Sequence, residues 1–328
     1  MNHTICCKHN KNVTTKWAIK YAVYVVLWRP IHYKVEYIKL LRPKDWAKNF
    51  FLFIPLFFAG EIFNVQKVTD LVLGFLAFSA VASSIYIMND YRDVEDDRKH
   101  PTKCKRPIAS GAVSKPAAII IAISLIILGF GGAWLIRDKF MFVLGIYFII
   151  NFAYSFGLKN VSVLDIVILA AGFVLRVKAG SVISYTPLSE WIIIMVFLLA
   201  LFMAIGKRRD DVILKLSSGV DMRKSIKGYN LELLNTLLAL ICAIIIVAYL
   251  MYTMAPETRL RLGTDRLYYT CLFVIAGIMR YLQIIFVLAD SGSPTKILYK
   301  DRFIQIVLVL WIASFITIIY VKDITLFK

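Results

Sequence analysis

The chain has 328 residues, of which 59% are hydrophobic, and its mean hydropathy is +0.71. These values exclude an ordinary soluble globular protein and are typical of a protein that crosses a membrane several times. The formal net charge is +18, which in a membrane protein indicates basic loops that face anionic lipid or phosphorylated substrates, and not nucleic acid. The five cysteines are odd in number and lack CxxC spacing, so we predict neither a disulfide framework nor a zinc site.

The N-terminal segment is mostly polar and contains one short apolar run, residues 21–28. That run is too short to cross a bilayer and has no small-residue cleavage site, so we predict an interfacial helix and not a signal peptide. We therefore divide the chain into a cytoplasmic or interfacial segment, residues 1–40, and one transmembrane domain, residues 41–328.

Apolar runs of about 20 residues, the length that a membrane-spanning helix needs, follow one another through the rest of the chain. The run nearest the N-terminus is the weakest because Pro55 interrupts it and Glu61 follows closely. The sequence thus predicts an all-α integral membrane protein with nine transmembrane helices, at about 48–63, 69–89, 117–136, 140–156, 162–182, 189–206, 231–254, 268–289 and 304–321.

Lysine and arginine residues are concentrated on one side of this predicted bundle. The N-terminal segment up to Lys48 carries ten, and the connections 91–116 and 207–230 carry seven each, whereas the opposite connections carry few. By the positive-inside rule, the N-terminus and both large connections are cytoplasmic, and the C-terminus is external. Because the same two connections hold most of the polar residues that could bind a metal or a substrate, we predict a cytoplasmic active site.

Four polar side chains end the second predicted span in the pattern N-D-x-x-D-x-x-x-D: Asn89, Asp90, Asp93 and Asp97. If the helix continues, Asn89, Asp93 and Asp97 share one of its faces. Carboxylates on one face repel each other unless a cation lies between them, and oxygen ligands suit Mg²⁺. The alternative is a solvated helix end whose acids pair with neighbouring arginines such as Arg98.

Basic residues follow the acidic ones directly, at Lys103, Lys105 and Arg106, before a turn at Ser110 and Gly111. Acids and bases this close together fit a site in which a metal bridges carboxylates and a pyrophosphate. Lysine and arginine then bind the remaining phosphate oxygens. The sequence therefore favours a metal–pyrophosphate site over a solvated helix end.

The stretch NDYRDVEDDRKHPTKCKRPIASG, residues 89–111, resembles the first aspartate-rich motif of the UbiA superfamily of intramembrane prenyltransferases. The resemblance extends over about residues 40–302. It implies nine transmembrane helices around a central cavity with a polar cytoplasmic cap, and Mg²⁺ as the cofactor.

Four further stretches, at 41–60, 154–180, 206–211 and 293–303, resemble the phosphoribosyltransferase branch of that superfamily. This implies transfer of 5-phosphoribose from phosphoribosyl pyrophosphate to a polyprenyl (decaprenyl) phosphate, on the way to arabinofuranosyl donors for cell-envelope glycans. The partners are then these two substrates and the bilayer, and the sequence leaves open whether the protein is a homo-oligomer.

Two other functions remain as alternatives. The first is transfer of a prenyl group to an aromatic acceptor, whose enzymes usually carry two or more aspartates in a second acidic motif. Here Asp165 stands alone, and Leu169 occupies the position four residues later. The second is an ion or phosphate transporter, which predicts inverted repeats and broken midplane helices that the sequence does not show.

The predicted site follows from these comparisons. The predicted metal ligands are Asn89, Asp90, Asp93 and Asp97, and the predicted catalytic residues are Asp93, Asp97 and Asp165. The predicted substrate-binding residues are Lys44, Arg98, Lys103, Arg106, Tyr154, Lys159, Arg176, Lys207 and Arg208. Structural explanations compete at some of these positions: an interfacial lysine or tyrosine for Lys44 and Tyr154, an ion pair between helices for Arg176, and the positive-inside rule for Lys207 and Arg208.

Overall fold

Most of the chain is helical. The computed structural model describes residues 35–99, 103–218, 224–288, 297 and 300–320, and none of these residues forms a β-strand. The interfacial helix predicted at 21–28 lies outside them. Residues 35–40 are helical, and the α-helices that follow are α1 Ile54–Phe58, α2 Val65–Arg92, α3 Val94–Lys99, α4 Lys115–Ile136, α5 Asp138–Ser155, α6 Leu164–Ser184, α7 Glu190–Ser218, α8 Leu231–Met254, α9 Pro256–Leu262, α10 Cys271–Phe286 and α11 Arg302–Tyr320. The 3-10 helices are Pro43–Phe53, Lys103–Lys105, Leu158–Asn160, Lys224–Gly228 and Arg266–Thr270.

Eight helical segments in the described part of the chain are long and apolar enough to cross a bilayer: α2, α4, α5, α6, α7, α8, α11, and α10 together with the 3-10 helix before it. They correspond to the last eight of the predicted spans. Their outer faces stay apolar and exposed, as at Ile120, Ile127 and Leu128 of α4. Since apolar surface of this extent needs lipid around it, the chain is a multi-pass membrane protein.

The predicted count of nine regular spanning helices is not confirmed. The first predicted span, 48–63, falls in a 3-10 helix, Pro43–Phe53, that continues into the short α1. This segment nevertheless passes through the bundle from end to end. Arg42, just before it, contacts Asp90 near the end of α2, whereas Gly60, just after it, lies beside Ile319 near the end of α11.

Helices α2 and α6 hold this irregular segment in place. Asn49 donates a hydrogen bond to Ser79 of α2 and accepts one from Arg176 of α6, each 2.9 Å long. Gly180 of α6 packs against the backbone of Leu52, where an added Cβ would come within 1.9 Å of the Leu52 carbonyl oxygen. Only glycine permits this approach between the two backbones.

Consecutive long helices alternate in direction, so the end of α2, the end of α5, the start of α6 and the end of α7 lie together. Arg92 at the end of α2 donates to the carbonyl oxygen of Ser155 at the end of α5. Arg208 of α7 pairs with Asp165 at the start of α6. This end of the bundle carries the acidic motif and forms the polar cap that the sequence predicted.

Candidate active site

Asn89 and Asp93 meet Lys159 at the polar end of the bundle. The Asp93 and Asp97 N–H groups donate to the carbonyls of Asn89 and Asp93 at 3.0 and 2.8 Å, so the helical spacing persists although α2 ends at Arg92. Lys159 comes from the 3-10 helix between α5 and α6. Its Nζ lies 3.3 Å from Asn89 Oδ1 and 2.9 and 2.7 Å from the two carboxylate oxygens of Asp93.

The other two aspartates of the motif bind arginines. Arg106 Nη1 lies 2.9 Å from Asp90 Oδ1 and 2.7 Å from Asp97 Oδ2, and Arg42 Nη2 lies 2.5 Å from Asp90 Oδ1. Both carboxylates are buried, and a buried charge is tolerated only when it is paired. The motif thus divides into a pair that faces a lysine and a pair that faces two arginines.

The donor atoms at Asn89 and Asp93 fit a divalent metal. Within the described ranges, no three carboxylate, imidazole or thiol side chains converge as a ready-made metal site. However, three oxygens of Asn89 and Asp93 surround a single positive charge, the Lys159 ammonium group. Such oxygens suit Mg²⁺, which takes few ligands from a protein and others from substrate phosphates. Metal binding by all four residues stays a prediction, and Asp90 and Asp97 are less available for it because both carboxylates bind arginines here.

Asp165 forms a separate, fully buried cluster at the start of α6. Its Oδ2 accepts hydrogen bonds from Arg208 Nε at 2.7 Å and Ser225 Oγ at 3.1 Å, and its Oδ1 accepts one from the Tyr229 hydroxyl at 2.6 Å. Arg208 also pairs with Asp211 at 2.7 Å. Burial and the hydrogen bond to Asp165 raise the pKa of the Tyr229 hydroxyl, which therefore stays protonated as a donor.

Arg176, a predicted substrate-binding residue, lies in the interior of the bundle. Its three guanidinium nitrogens each donate a hydrogen bond within the protein, to Asn49 at 2.9 Å, to the Gly172 carbonyl at 3.0 Å and to the Tyr147 hydroxyl at 2.8 Å. All three acceptors are uncharged, so these contacts give Arg176 a structural role without the ion pair between helices that was the alternative. The substrate role stays a prediction.

The remaining predicted residues lie around the polar cap. Lys44 and Lys207 are exposed, and Lys103 is half-buried in its 3-10 helix. Arg98 pairs with Glu95 at 3.0 Å and also donates to a backbone carbonyl. Tyr154, at the end of α5, lies close enough to Arg208 to interact with its charge.

Sequence reasoning missed Arg42, Ser225 and Tyr229. Arg42 stands two residues from Lys44 in the stretch LRPKDW, so weighing every cation before the first span would have included it. Ser225 and Tyr229 carry no motif. Their contacts with Asp165 depend on how the connection before α8 folds back on α6, which no local pattern encodes.

The chain has well-described relatives. Residues 50–213 match the model of the UbiA prenyltransferase family. The decaprenyl-phosphate phosphoribosyltransferase of Corynebacterium glutamicum is 33% identical over 288 residues, which cover 87% of this chain and 86% of that protein. The decaprenyl-phosphate phosphoribosyltransferase of Mycolicibacterium smegmatis is 34% identical over 296 residues, covering 86% of this chain and 92% of that protein.

A solved structure has the same fold. A UbiA homologue from Archaeoglobus fulgidus, bound to DMAPP and Mg²⁺, matches 87% of this chain and 99% of its own with a TM-score of 0.64 and 24% identity. Three findings point to the same family: the helical architecture, the family model that matches half of the chain, and the relatives that span most of it. The chain belongs to the UbiA prenyltransferase family.

Proposed function

We propose that the protein transfers 5-phosphoribose from phosphoribosyl pyrophosphate to a polyprenyl phosphate such as decaprenyl phosphate, and releases pyrophosphate at the cytoplasmic face of the membrane. The observation that carries this proposal is the similarity to phosphoribosyltransferases over 86% and 92% of their length. The charge pattern at the polar end of the bundle supports it independently.

The donor substrate carries several negative charges, and the cap supplies cations that match them. Lys159, Arg106 and Arg42 all point at the acidic motif, so they lie where a pyrophosphate bound to that motif would need them. The lysine and the arginines bind and orient the phosphate oxygens. Asn89 and Asp93 would hold Mg²⁺, and the bound ion would supply positive charge that neutralises the leaving pyrophosphate.

In the transfer step, an oxygen of the lipid phosphate forms a bond to C1 of the ribose. The bond between C1 and the pyrophosphate oxygen breaks, and its electron pair leaves with pyrophosphate. A phosphate monoester has its second pKa at about 6 and is largely ionised near neutral pH, so the nucleophile needs no general base. The protein contributes positioning and electrostatic stabilisation of the transition state.

Transfer of a prenyl group to an aromatic acceptor has less support. That chemistry relies on a second acidic cluster, and here the corresponding segment contributes only Asp165. Both oxygens of this carboxylate are hydrogen-bonded inside the protein.

The test is to incubate purified protein with Mg²⁺, phosphoribosyl pyrophosphate and decaprenyl phosphate and to analyse the lipids by mass spectrometry. We expect a lipid heavier by one phosphoribosyl group, and pyrophosphate in equal amount. A parallel incubation with a prenyl diphosphate and an aromatic acceptor is the comparison. Prenylated acceptor together with no phosphoribosyl lipid would refute the proposal.

A further inference from the structure

The carboxylate of Asp165 is occupied by the protein itself. Its two oxygens accept hydrogen bonds from three donors: Arg208 of α7, and Ser225 and Tyr229 of the connection before α8. Asp165 has no exposed surface. Three hydrogen-bond donors, one of them the Arg208 guanidinium group, fix the orientation of this buried carboxylate. It is a fixed structural anchor at the start of α6.

The connection before α8 also contacts a strained residue, Val163, which lies two positions before Asp165. Val163 has φ 69° and ψ −50°, a conformation that β-branched residues rarely adopt. Such backbone strain persists only where surrounding contacts enforce it. The enforcing contact is the Val163 N–H, which donates to the Tyr229 hydroxyl at 2.6 Å. Tyr229 therefore binds both sides of this turn, accepting from Val163 and donating to Asp165.

A second contact runs parallel to the first. Ser162 Oγ donates to the Ser225 carbonyl at 2.7 Å. Gly228 packs so closely on Ser162 that an added Cβ would lie 2.2 Å from the hydroxyl oxygen. The segment 161–165 is thus fastened to the connection before α8 at Ser162, Val163 and Asp165.

Lys159 stands directly before the fastened segment. The Val161 N–H bonds to the Leu158 carbonyl at 3.2 Å, and the Asp165 N–H bonds to the Val161 carbonyl at 3.0 Å. Two consecutive backbone hydrogen bonds therefore link Leu158 to Val161 and Val161 to Asp165. A shift of the turn at Val163 moves the 3-10 helix that carries Lys159, and with it the ammonium group that faces Asn89 and Asp93.

We propose that Tyr229 and Ser225, acting through Asp165 and Val163, are positioning residues that place the Lys159 ammonium group for the pyrophosphate of the donor. This inference rests on the proposed function. It assigns Asp165 to the support of Lys159 and not to the binding of metal. It also makes the connection before α8 part of the donor site, although none of its residues there needs to touch the substrate.

The test is a double-mutant cycle on Tyr229→Phe and Lys159→Ala, with steady-state kinetics for phosphoribosyl pyrophosphate. In the wild-type background we expect Tyr229→Phe to raise KM for the donor by roughly tenfold, with kcat within about twofold. A change of this size is typical of residues that are coupled through a shared backbone shift. In the Lys159→Ala background the same change should raise KM by less than about twofold, since the group that Tyr229 positions is gone. Equal effects in both backgrounds would overturn the proposal.

Tyr249→Phe is the matched control. Tyr249 is also buried, and its hydroxyl makes hydrogen bonds with Thr270 and Trp311 far along α8 from the cap. This variant should lose some thermal stability without a change in donor KM. If Tyr229→Phe does not fold, Ser225→Ala removes one donor to Asp165 and enters the same cycle with Lys159→Ala.

Asp165→Asn distinguishes two roles of Asp165, the support of Lys159 and the binding of metal. Under the proposal it raises donor KM and leaves the Mg²⁺ concentration for half-maximal rate unchanged at saturating donor. A rise in that Mg²⁺ concentration would show Asp165 to be a metal ligand and would overturn the assignment. Wild-type protein that makes no phosphoribosyl lipid would instead refute the proposed function, so the two failures are distinguishable.

Discussion

Asp93 is the carboxylate whose charge the proposed reaction needs most. Like the amide oxygen of Asn89, it accepts a hydrogen bond from Lys159, and it is not engaged by the arginines that bind Asp90. Asp93→Asn preserves its size and removes its charge, so a metal bound at the proposed site would lose its only charged ligand of the Asn89–Asp93 pair. We expect kcat/KM to fall by about 100-fold or more, and the Mg²⁺ requirement to rise, as measured by product formation across a Mg²⁺ titration.

Asp96→Asn provides the control for that change. Asp96 is exposed on α3, three residues from Asp93, and its charge lies outside both acidic pairs. Its variant should keep near-normal kinetics. Equal loss in both variants would mean that net charge at the cap, and not metal binding by Asp93, determines activity.

The Lys159 ammonium group should contribute directly to binding of the donor pyrophosphate. Lys159→Ala leaves the donor pyrophosphate without one of its cations, and loss of one partner in a charged pair costs about 2–5 kcal/mol. We expect KM for phosphoribosyl pyrophosphate to rise by about 30-fold or more, since each tenfold corresponds to about 1.4 kcal/mol, with a much smaller change for the lipid phosphate. Both constants come from initial rates with the other substrate saturating.

Lys227→Ala tests whether the loss of any lysine from the cap weakens donor binding to the same extent. Lys227 is exposed in the connection before α8 and belongs to neither charge cluster. The prediction for Lys159 fails if the two variants weaken donor binding equally, because the effect would then be long-range attraction of an anion.

At the scale of helices, the close approach of α6 to the first crossing segment should be sensitive to one methyl group. Gly180→Ala would place its Cβ 1.9 Å from the Leu52 carbonyl oxygen, so the two backbones must separate. Overpacking of this kind costs about 1–3 kcal/mol, and more where backbone must move. We expect a clear fall in the thermal unfolding temperature in detergent.

Gly131→Ala is the matched control, since Gly131 lies in α4 and no atom beyond the adjoining backbone of that helix lies within 4 Å of the place its Cβ would take. Alanine is favoured over glycine in a helix interior, so the unfolding temperature of this variant should stay unchanged or rise. A similar fall in both variants would contradict the packing argument at Gly180.

The sequence predicted the long helices well because an apolar run of about 20 residues identifies a spanning helix without any knowledge of its neighbours. It also identified the acidic motif and Lys159, since their residue types and spacing are local. It did not identify the Tyr229–Val163 contact or the burial of Arg176 between Asn49 and Tyr147. Those arrangements are set by packing between segments far apart in the chain.

At the scale of the whole molecule, the distribution of lysine and arginine predicts that the polar cap faces the cytoplasm. Two single cysteines, Lys227→Cys in the cap and Leu260→Cys at the opposite end, test this in a chain whose Cys6, Cys7 and Cys104 are replaced by serine. Leu260 is 84% exposed, so its cysteine should react with a membrane-impermeant maleimide in intact cells. The cysteine at 227 should react only after the membrane is opened, and the reverse pattern would invert the topology.

The winding of the first crossing segment sets its length. Pro43–Phe53 and α1 have eleven and five residues; at rises of about 2.0 and 1.5 Å per residue they extend about 30 Å, the thickness of a bilayer core. The same residues wound entirely as α-helix would extend only about 24 Å. Relaxation to that form would draw Arg42 from Asp90, or Gly60 from Ile319, by about 5–6 Å. The reach of this segment thus depends on the pitch of its backbone, and a change that alters the pitch would detach Arg42 from the acidic motif without replacing a single residue there.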